Sequence, residues 1–175
     1  MEKTDLKSLP MDQLEQWVLE HGEKKFRAKQ LYQWMHVKLA DSVEQMSNLP
    51  AKLREQISEN STFTVLKQVT MQESAIDGTR KYLFELEDHN MVESVLMRYK
   101  HGNSVCISSQ VGCRMGCRFC ASTLDGLVRN LTPAEMLEPI FRISADTGES
   151  VSQLIVLGTG EPLDTNDPLL TILRL

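Results

Sequence analysis

The feature that most constrains this chain is a group of three cysteines, Cys113, Cys117 and Cys120, separated by three and then by two residues. Thiols this close along the chain cannot pair with one another as disulfides without strain, and nothing marks the chain as secreted. The spacing therefore predicts reduced thiolates that share a metal on one tight loop. The fourth cysteine, Cys106, lies among alternating residues of a predicted strand, and we interpret it as a small buried hydrophobic residue.

The kind of metal follows from the number of thiols. A structural zinc site commonly has four protein ligands in two separated pairs, and this sequence has no second pair. A four-iron cluster with three protein thiolates keeps one iron open to an outside ligand. The spacing therefore favours a [4Fe-4S] cluster over a closed metal site or a redox dithiol. Arg114 and Arg118, beside the thiolates, would favour a cluster of net negative charge.

The elements around the cysteines predict an α/β domain over residues 101–175. A strand is expected at residues 104–108, and Thr132-Pro133-Ala134-Glu135 has the form of a capping box that begins a helix. The apolar run at residues 153–157 is typical of a buried parallel strand, and another helix is expected from Pro168. This βαβα series predicts the first units of a parallel sheet or barrel. Because residue 175 falls inside an apolar helix, we expect a truncated part of a longer protein.

Two other patterns precede this domain. Residues 1–60 show apolar residues at helical spacing and predict a small helical domain. Residues 61–100 alternate in polarity and predict a β-hairpin or meander that links the two domains, with a turn at Asp77-Gly78. The residues expected to face a core are Leu14, Trp17, Val18, Leu31, Trp34, Met35, Leu53 and Ile57 in the helices, and Tyr82, Phe84 and Leu86 in the strands.

Composition narrows the possible locations and partners. No apolar run approaches the roughly 20 residues that span a bilayer, and the first residues lack the apolar core of a secretion signal. We therefore expect a cytoplasmic protein with no membrane partner. The formal net charge of −5 argues mildly against a nucleic-acid partner, although local basic surface can override that total.

One segment has such a local excess of positive charge. The basic residues Lys24, Lys25, Arg27, Lys29 and Lys38 are interleaved with Tyr32, Trp34 and His36, and no acidic residue interrupts them. Mixtures of this kind bind RNA, with cations on phosphates and rings under unstacked bases. The alternative is a solvated helix face whose aromatic residues lie in the core.

A glycine turn follows the second predicted strand of the α/β domain, with the sequence Gly158-Thr159-Gly160-Glu161-Pro162. Glycines there would let the backbone approach a ligand closely. The Glu161 carboxylate could accept a hydrogen bond from an ammonium group. A turn of this composition is weak evidence by itself, and it gains weight from its place one strand after the cysteines.

Taken together, these motifs resemble the RlmN family of radical-SAM adenine C2 methyltransferases. The resemblance rests on the cysteine spacing with the aromatic Phe119 before the last cysteine, on the segment from Ser104 to Gly112, on Ala121-Ser122-Thr123, Arg129-Asn130-Leu131 and the glycine turn, and on the N-terminal segment from Phe26 to Trp34. The related Cfr family, which acts at adenine C8, shares most of these motifs, and RlmN is favoured because it is the commoner enzyme.

The resemblance implies a fold, an activity and cofactors. The implied fold is a helical domain and a β-hairpin linker, followed by the first units of a radical-SAM partial (β/α) barrel. The implied activity is methylation of C2 of an adenosine in 23S ribosomal RNA and in transfer RNA. The implied cofactors are a [4Fe-4S] cluster on Cys113, Cys117 and Cys120 and S-adenosylmethionine (SAM). A reductant of the flavodoxin or ferredoxin type is the expected partner, and the protein is expected to be a monomer.

The resemblance also assigns roles to single residues. Phe119, Gly160 and Glu161 match positions that contact SAM, and Glu93 matches the glutamate that accepts the ring proton of adenine. Without the resemblance, Glu93 would be interpreted as a solvated residue on the outer face of a strand. The methyl-carrying cysteine of the family lies beyond residue 175, so we expect no route for methyl transfer in this chain alone.

Two other functions remain open from the sequence. The first is a different radical-SAM reaction, such as activation of a partner protein through a glycyl radical. The second is a metal-bearing binding module without turnover.

Overall fold

The computed structural model describes residues 3–175, and these form two compact units. The first unit contains the described residues up to Val65 together with Thr171–Leu175, and the second contains Leu66–Leu170. Within residues 3–175, no helix has the length and apolar character needed to cross a bilayer.

The first unit is mainly helical. Its elements are β1 (Thr4–Asp5), α1 (Met11–Glu20), α2 (Phe26–Tyr32), α3 (Ala51–Asn60) and β2 (Ser61–Thr62). A five-residue π-helical turn, Gln33–Val37, continues α2. Strands β1 and β2 form a short parallel pair, with Thr4 opposite Ser61 and Asp5 opposite Thr62.

The helical spacing of the sequence explains the core of this unit. The predicted core residues Leu14, Trp17, Val18, Leu31, Met35, Leu53 and Ile57 are all buried there. Trp34 is only partly buried against the same core. Its indole Nε1 donates to Asn48 Oδ1 at 2.5 Å, because an indole N–H at the edge of a core needs a polar partner.

The second unit contains most of the β structure. Its strands are β3 (Lys67–Glu73), β4 (Arg80–Glu85), β5 (Met91–Tyr99), β6 (Gly102–Cys106), β7 (Gln110–Gly112), β8 (Leu127–Asn130) and β9 (Gln153–Ile155). The helix α4 (Pro133–Thr147) lies between β8 and β9 in sequence, and α5 (Asn166–Ile172) begins at the end of the unit.

Five of these strands form one sheet in the order β3-β4-β5-β6-β9. The first four pair antiparallel, and β9 is parallel to β6, with Cys106 opposite Ile155. The predicted inward residues Tyr82, Phe84 and Leu86 are buried. A βαβ crossover through α4 therefore joins β6 to β9 at one edge of an antiparallel meander.

The helix α4 begins as the sequence predicts. Thr132 accepts a hydrogen bond from the Glu135 backbone N–H at 3.2 Å, and the Glu135 carboxylate accepts one from the Thr132 N–H at 2.9 Å. This reciprocal capping box satisfies two backbone donors at the helix start. The helix ends at Gly148, which has a left-handed conformation.

The predicted burial of residues 153–157 is wrong. Leu154 is 36% exposed and Leu157 is 77% exposed. In the part of the chain that the structure describes, β9 pairs only with β6 and forms an edge of the sheet. An edge strand leaves one row of backbone groups and part of its side chains uncovered, which is the physical reason for the difference.

Candidate functional site

The cysteine loop (residues 113–120) is held between the paired strands β7 and β8. Cys113 directly follows β7, and its backbone N–H donates to the Gly126 carbonyl at 3.0 Å. Gly112 has a φ of +74°, and a Cβ there would lie 2.0 Å from the Gly126 carbonyl oxygen. Only glycine therefore allows the two ends of the loop to approach so closely.

The three thiols differ in exposure. Cys113 is buried, Cys117 is exposed and Cys120 is intermediate, and all three are free thiols. The Cys120 N–H donates to the Cys117 carbonyl at 3.1 Å, and Thr123 Oγ1 donates to the Cys120 carbonyl at 2.9 Å. Residues 114–119 between the thiols are all exposed. The loop is thus anchored at its ends and open along its middle.

The sulfur atoms are not gathered into a ready-made site. Across residues 3–175, no group of three or more His, Cys, Asp or Glu side chains is placed to hold a metal ion. The chemistry of the donors still fits an iron–sulfur cluster, because three free thiols lie on one short loop.

The glycine turn (residues 158–162) packs against the strand that leads into the cysteine loop. The backbone N–H groups of Ser109 and Gln110 donate to the Thr159 carbonyl at 2.9 and 3.1 Å. Gly160 has a φ of +110°, and a Cβ there would lie 2.6 Å from Ser109 Oγ. In this structure, the glycine therefore lets the turn approach the chain's own strand.

Glu161 begins a short 3-10 helix, Pro162–Thr165, at the end of the glycine turn. One of its carboxylate oxygens accepts from the Leu163 N–H at 3.1 Å. Phe119, in the cysteine loop, is 95% exposed. Single exposed apolar side chains are common on protein surfaces, so this exposure does not by itself indicate a ligand.

Sequence reasoning missed one contact between the two loops. The Arg114 guanidinium donates to the Asp164 carboxylate at 2.8 Å from Nε and 2.5 Å from Nη2. Arg114 and the Gln110 amide lower the pKa of Asp164, and Asp164 raises that of Arg114. Arg114, predicted to balance cluster charge, therefore has a carboxylate partner 50 residues away.

Glu93 lies on β5, on the face of the sheet opposite Tyr82 and Phe84. It is exposed, and its carboxylate lies 2.7 Å from Lys81 Nζ on the neighbouring strand. A cavity of about 150 Å³ opens beside this pair and is lined by Thr70, Gln72, Lys81, Tyr82, Leu83 and Glu93. The solvated position that the residues alone predicted is therefore observed, next to a concave surface.

Cys106 lies at the end of β6, opposite Val95 of β5 and Ile155 of β9. Its thiol is free and of intermediate exposure, so Cys106 is less buried than predicted. The edge strand β9 covers β6 on that side, and its own exposure leaves the end of β6 partly open.

The basic stretch of the first unit is partly neutralised by acidic residues that precede it in sequence. Lys25 Nζ lies 2.8 Å from a Glu15 carboxylate oxygen, and Arg27 Nε lies 3.7 Å from one of Glu23. Lys24 and Lys29 are exposed. The stretch itself contains no acidic residue, but its surface charge also depends on Glu15 and Glu23, which lie outside it.

The aromatic residues of this stretch are also engaged. Lys38 Nζ lies 3.8 Å from the centroid of the Trp34 ring, and the rings of Tyr32 and His36 lie 4.5 Å apart. Burial, with a smaller effect of Lys7, lowers the pKa of His36 to about 4. His36 is therefore neutral at pH 7 and adds no positive charge to the stretch.

Comparison with known proteins gives consistent matches. Residues 4–63 match the family described as the ribosomal RNA large subunit methyltransferase N-terminal domain. The chain is 59% identical over 172 residues to a protein of Lachnospira eligens and 51% identical over 174 residues to one of Lachnoclostridium phytofermentans, both named probable dual-specificity RNA methyltransferase RlmN. These matches cover 98% and 99% of this chain and 49% of each relative. The chain thus spans about half the length of the curated relatives it matches.

A solved structure shows the same fold. The crystal structure of a radical SAM methyltransferase from Sphaerobacter thermophilus superposes with a TM-score of 0.88 at 32% sequence identity. The match covers 98% of this chain and 51% of that one. The α/β fold predicted from the sequence is confirmed by this likeness.

Proposed function

Because the chain belongs to the RlmN family, we propose that it is the cluster-binding and SAM-binding part of a radical-SAM RNA methyltransferase. The reaction is methylation of C2 of an adenosine in 23S ribosomal RNA and in transfer RNA. The observation that carries the proposal is the contact between the glycine turn and the strand that leads into the cysteine loop. This contact joins the glycine turn to the strand from which the cysteine loop begins.

In this proposal Cys113, Cys117 and Cys120 hold a [4Fe-4S] cluster. Three thiolates bind three of the four irons, and the fourth remains open to SAM. When bound, the cluster supplies the electron for reductive cleavage of SAM. The strands β7 and β8 fix the ends of the loop, and the segment between them is exposed.

The SAM contacts come from both loops. The backbone at Gly160 and the Glu161 carboxylate would hold the amino group of SAM, and Phe119 would be a further contact residue. The Leu163 N–H restrains one oxygen of Glu161 through the 3.1 Å hydrogen bond. A carboxylate held in this way loses less side-chain entropy when an ammonium group binds.

Glu93 is the proposed general base that accepts the ring proton of adenine. Two features support this role, its exposure and the neighbouring cavity. A general base must reach the proton that it removes. The open face of the sheet gives an extruded base access to Glu93.

The first unit is the proposed RNA-binding part, with Lys24, Lys25, Arg27, Lys29 and Trp34 as the contact residues. The exposed Lys24 and Lys29 would contact phosphates directly. Lys25 and Arg27 would have to exchange their carboxylate partners for phosphates. The proposal also includes a flavodoxin-type or ferredoxin-type reductant, a monomeric protein and a cytoplasmic place of action.

The test uses the full-length protein, reconstituted with iron and sulfide under anaerobic conditions. It is incubated with methyl-labelled SAM, a reductant and either a 23S ribosomal RNA fragment or transfer RNA. Nucleoside analysis should show labelled 2-methyladenosine, and Cys117→Ala should abolish it while Cys106→Ala retains an intact cluster. Labelled 8-methyladenosine would assign the Cfr reaction. RNA that has acquired no labelled methyl group would contradict the proposal.

A further inference from the structure

Gln110 is a fully buried polar side chain at the start of the cysteine loop, in β7. Its amide makes three hydrogen bonds to two segments, which are β8 and the glycine turn with the 3-10 helix that follows it. Nε2 donates to Asn130 Oδ1 in β8 at 2.9 Å and to Asp164 Oδ2 at 3.0 Å. Oε1 accepts from the Glu161 backbone N–H in the glycine turn at 3.0 Å. Both amide hydrogens are therefore used.

The position of the glycine turn depends on this residue in a second way. A Cβ on Gly160 would lie 2.7 Å from Gln110 Cβ and 2.8 Å from the Gln110 backbone nitrogen. The same backbone nitrogen donates to the Thr159 carbonyl at 3.1 Å. Gln110 thus contacts the turn through both its backbone and its side chain.

Asp164 extends the connection to the cysteine loop itself. Its carboxylate accepts from Gln110 Nε2 and from the guanidinium of Arg114, the residue after Cys113. A chain of hydrogen bonds therefore runs from Arg114 through Asp164 and Gln110 to the Glu161 N–H, and the bonds to the Asp164 carboxylate are charge-assisted. Arg114 is exposed, but the Gln110 amide is fully buried, so each of its polar atoms would bear a desolvation cost if it were left unpaired.

We propose that Gln110 is a positioning residue that sets the glycine turn relative to the cysteine loop, so that the contacts of one SAM molecule with Glu161 and with the cluster are made together. This inference rests on the proposed function of the two loops. Gln110 itself does not contact SAM in this account. It acts through the Glu161 N–H and Asp164.

The test first breaks the hydrogen bond between Gln110 and Asp164 in the full-length protein. A second variant then restores the bond with the donor and the acceptor exchanged. Gln110→Glu retains an acceptor for the Glu161 N–H, loses both donors and places two carboxylates at hydrogen-bond distance. We expect the KM for SAM to rise roughly 10- to 100-fold, the loss typical of a buried hydrogen bond to a charged group. We expect the iron content to stay at the wild-type level and kcat for SAM cleavage to change less than KM.

The double variant Gln110→Glu/Asp164→Asn restores a donor–acceptor pair with the roles exchanged. It should recover most of the lost affinity for SAM, whereas general destabilisation would accumulate instead. Gln68→Glu makes the same chemical change on the exposed strand β3 and should leave the KM unchanged. The SAM-induced change in the electron paramagnetic resonance spectrum of the reduced cluster gives a second readout. Its half-saturation should move with the KM.

Asp164→Ala provides a second test in case the Gln110 variants do not fold. Asp164 is only partly buried, so its removal should leave the fold intact while it disconnects Gln110 and Arg114. The same rise in KM is expected. An unchanged KM for SAM in Gln110→Glu and Asp164→Ala, with normal iron content, would overturn the inference. A double variant whose KM for SAM is no lower than that of Gln110→Glu would also overturn it. A wild-type protein without a cluster or SAM binding would instead contradict the proposed function.

Discussion

Lys81 Nζ and a carboxylate oxygen of Glu93 lie 2.7 Å apart on the exposed face of the five-stranded sheet. Both side chains are about half exposed, at 47% and 49%. An ion pair this exposed contributes on the order of 1 kcal/mol or less to stability. The pair therefore adds little to the stability of the sheet, and the fold does not depend on it.

The first prediction concerns Glu93 in the full-length protein. Glu93→Gln retains the shape of the side chain but cannot accept a proton, so release of methylated adenine should fall by roughly 10²- to 10⁴-fold. SAM cleavage should continue, which is measured as deoxyadenosine. Glu87→Gln, an exposed residue in the turn after β4, is the matched control and should behave as wild type. A wild-type methylation rate in Glu93→Gln would remove this residue from the mechanism.

The second prediction concerns RNA binding by the exposed lysines of the first unit. Lys24→Glu together with Lys29→Glu should weaken RNA binding and flatten its salt dependence, because fewer counterions are released. Each lost phosphate contact should reduce the slope of log K against log salt by about 0.7 for single-stranded RNA. The slope is obtained by titration at several salt concentrations.

The control for this experiment is Lys67→Glu, the same kind of substitution at one position of the exposed strand β3 in the other unit. It should retain the wild-type slope. If wild type, the double variant and the control have identical slopes, Lys24 and Lys29 lie on a solvated helix face and do not contact RNA.

The third prediction concerns the pH dependence of stability through His36. Burial lowers the pKa of His36 to about 4 in the folded protein, from an ordinary value of 6.5. Between these values the unfolded chain binds a proton that the folded chain does not, so stability should fall as the pH drops from about 6.5 to 4. His36→Gln cannot take up that proton and should flatten this part of the profile.

The measurement is the free energy of unfolding by denaturant at pH values between 7 and 4.5. His89→Gln serves as the control, because the His89 side chain is 86% exposed and hydrogen-bonds to Glu85 at the surface. If wild type and His36→Gln lose stability in parallel, His36 is not the group responsible.

Local sequence patterns predicted much of the fold. The spacing of Leu14, Trp17 and Val18 placed them in a helical core, and Thr132 with Glu135 marked the start of α4, because these signals depend on neighbours along the chain. The contacts of Gln110 and the pairing of Arg114 with Asp164 join segments about 50 residues apart, and no local pattern specifies them. The exposure of Leu157 was missed because periodicity does not show whether a strand lies at an edge.

The central claim is that the cysteine loop holds an iron–sulfur cluster through three thiolates, and reconstitution of the 175-residue chain tests it most directly. Anaerobic incubation with iron and sulfide should give a brown protein, and Cys113→Ala, Cys117→Ala and Cys120→Ala should each lose the intact four-iron cluster. Cys106→Ala, which removes the remaining thiol, should retain it. A protein that takes up only zinc, or a cluster lost with Cys106→Ala, would contradict the account.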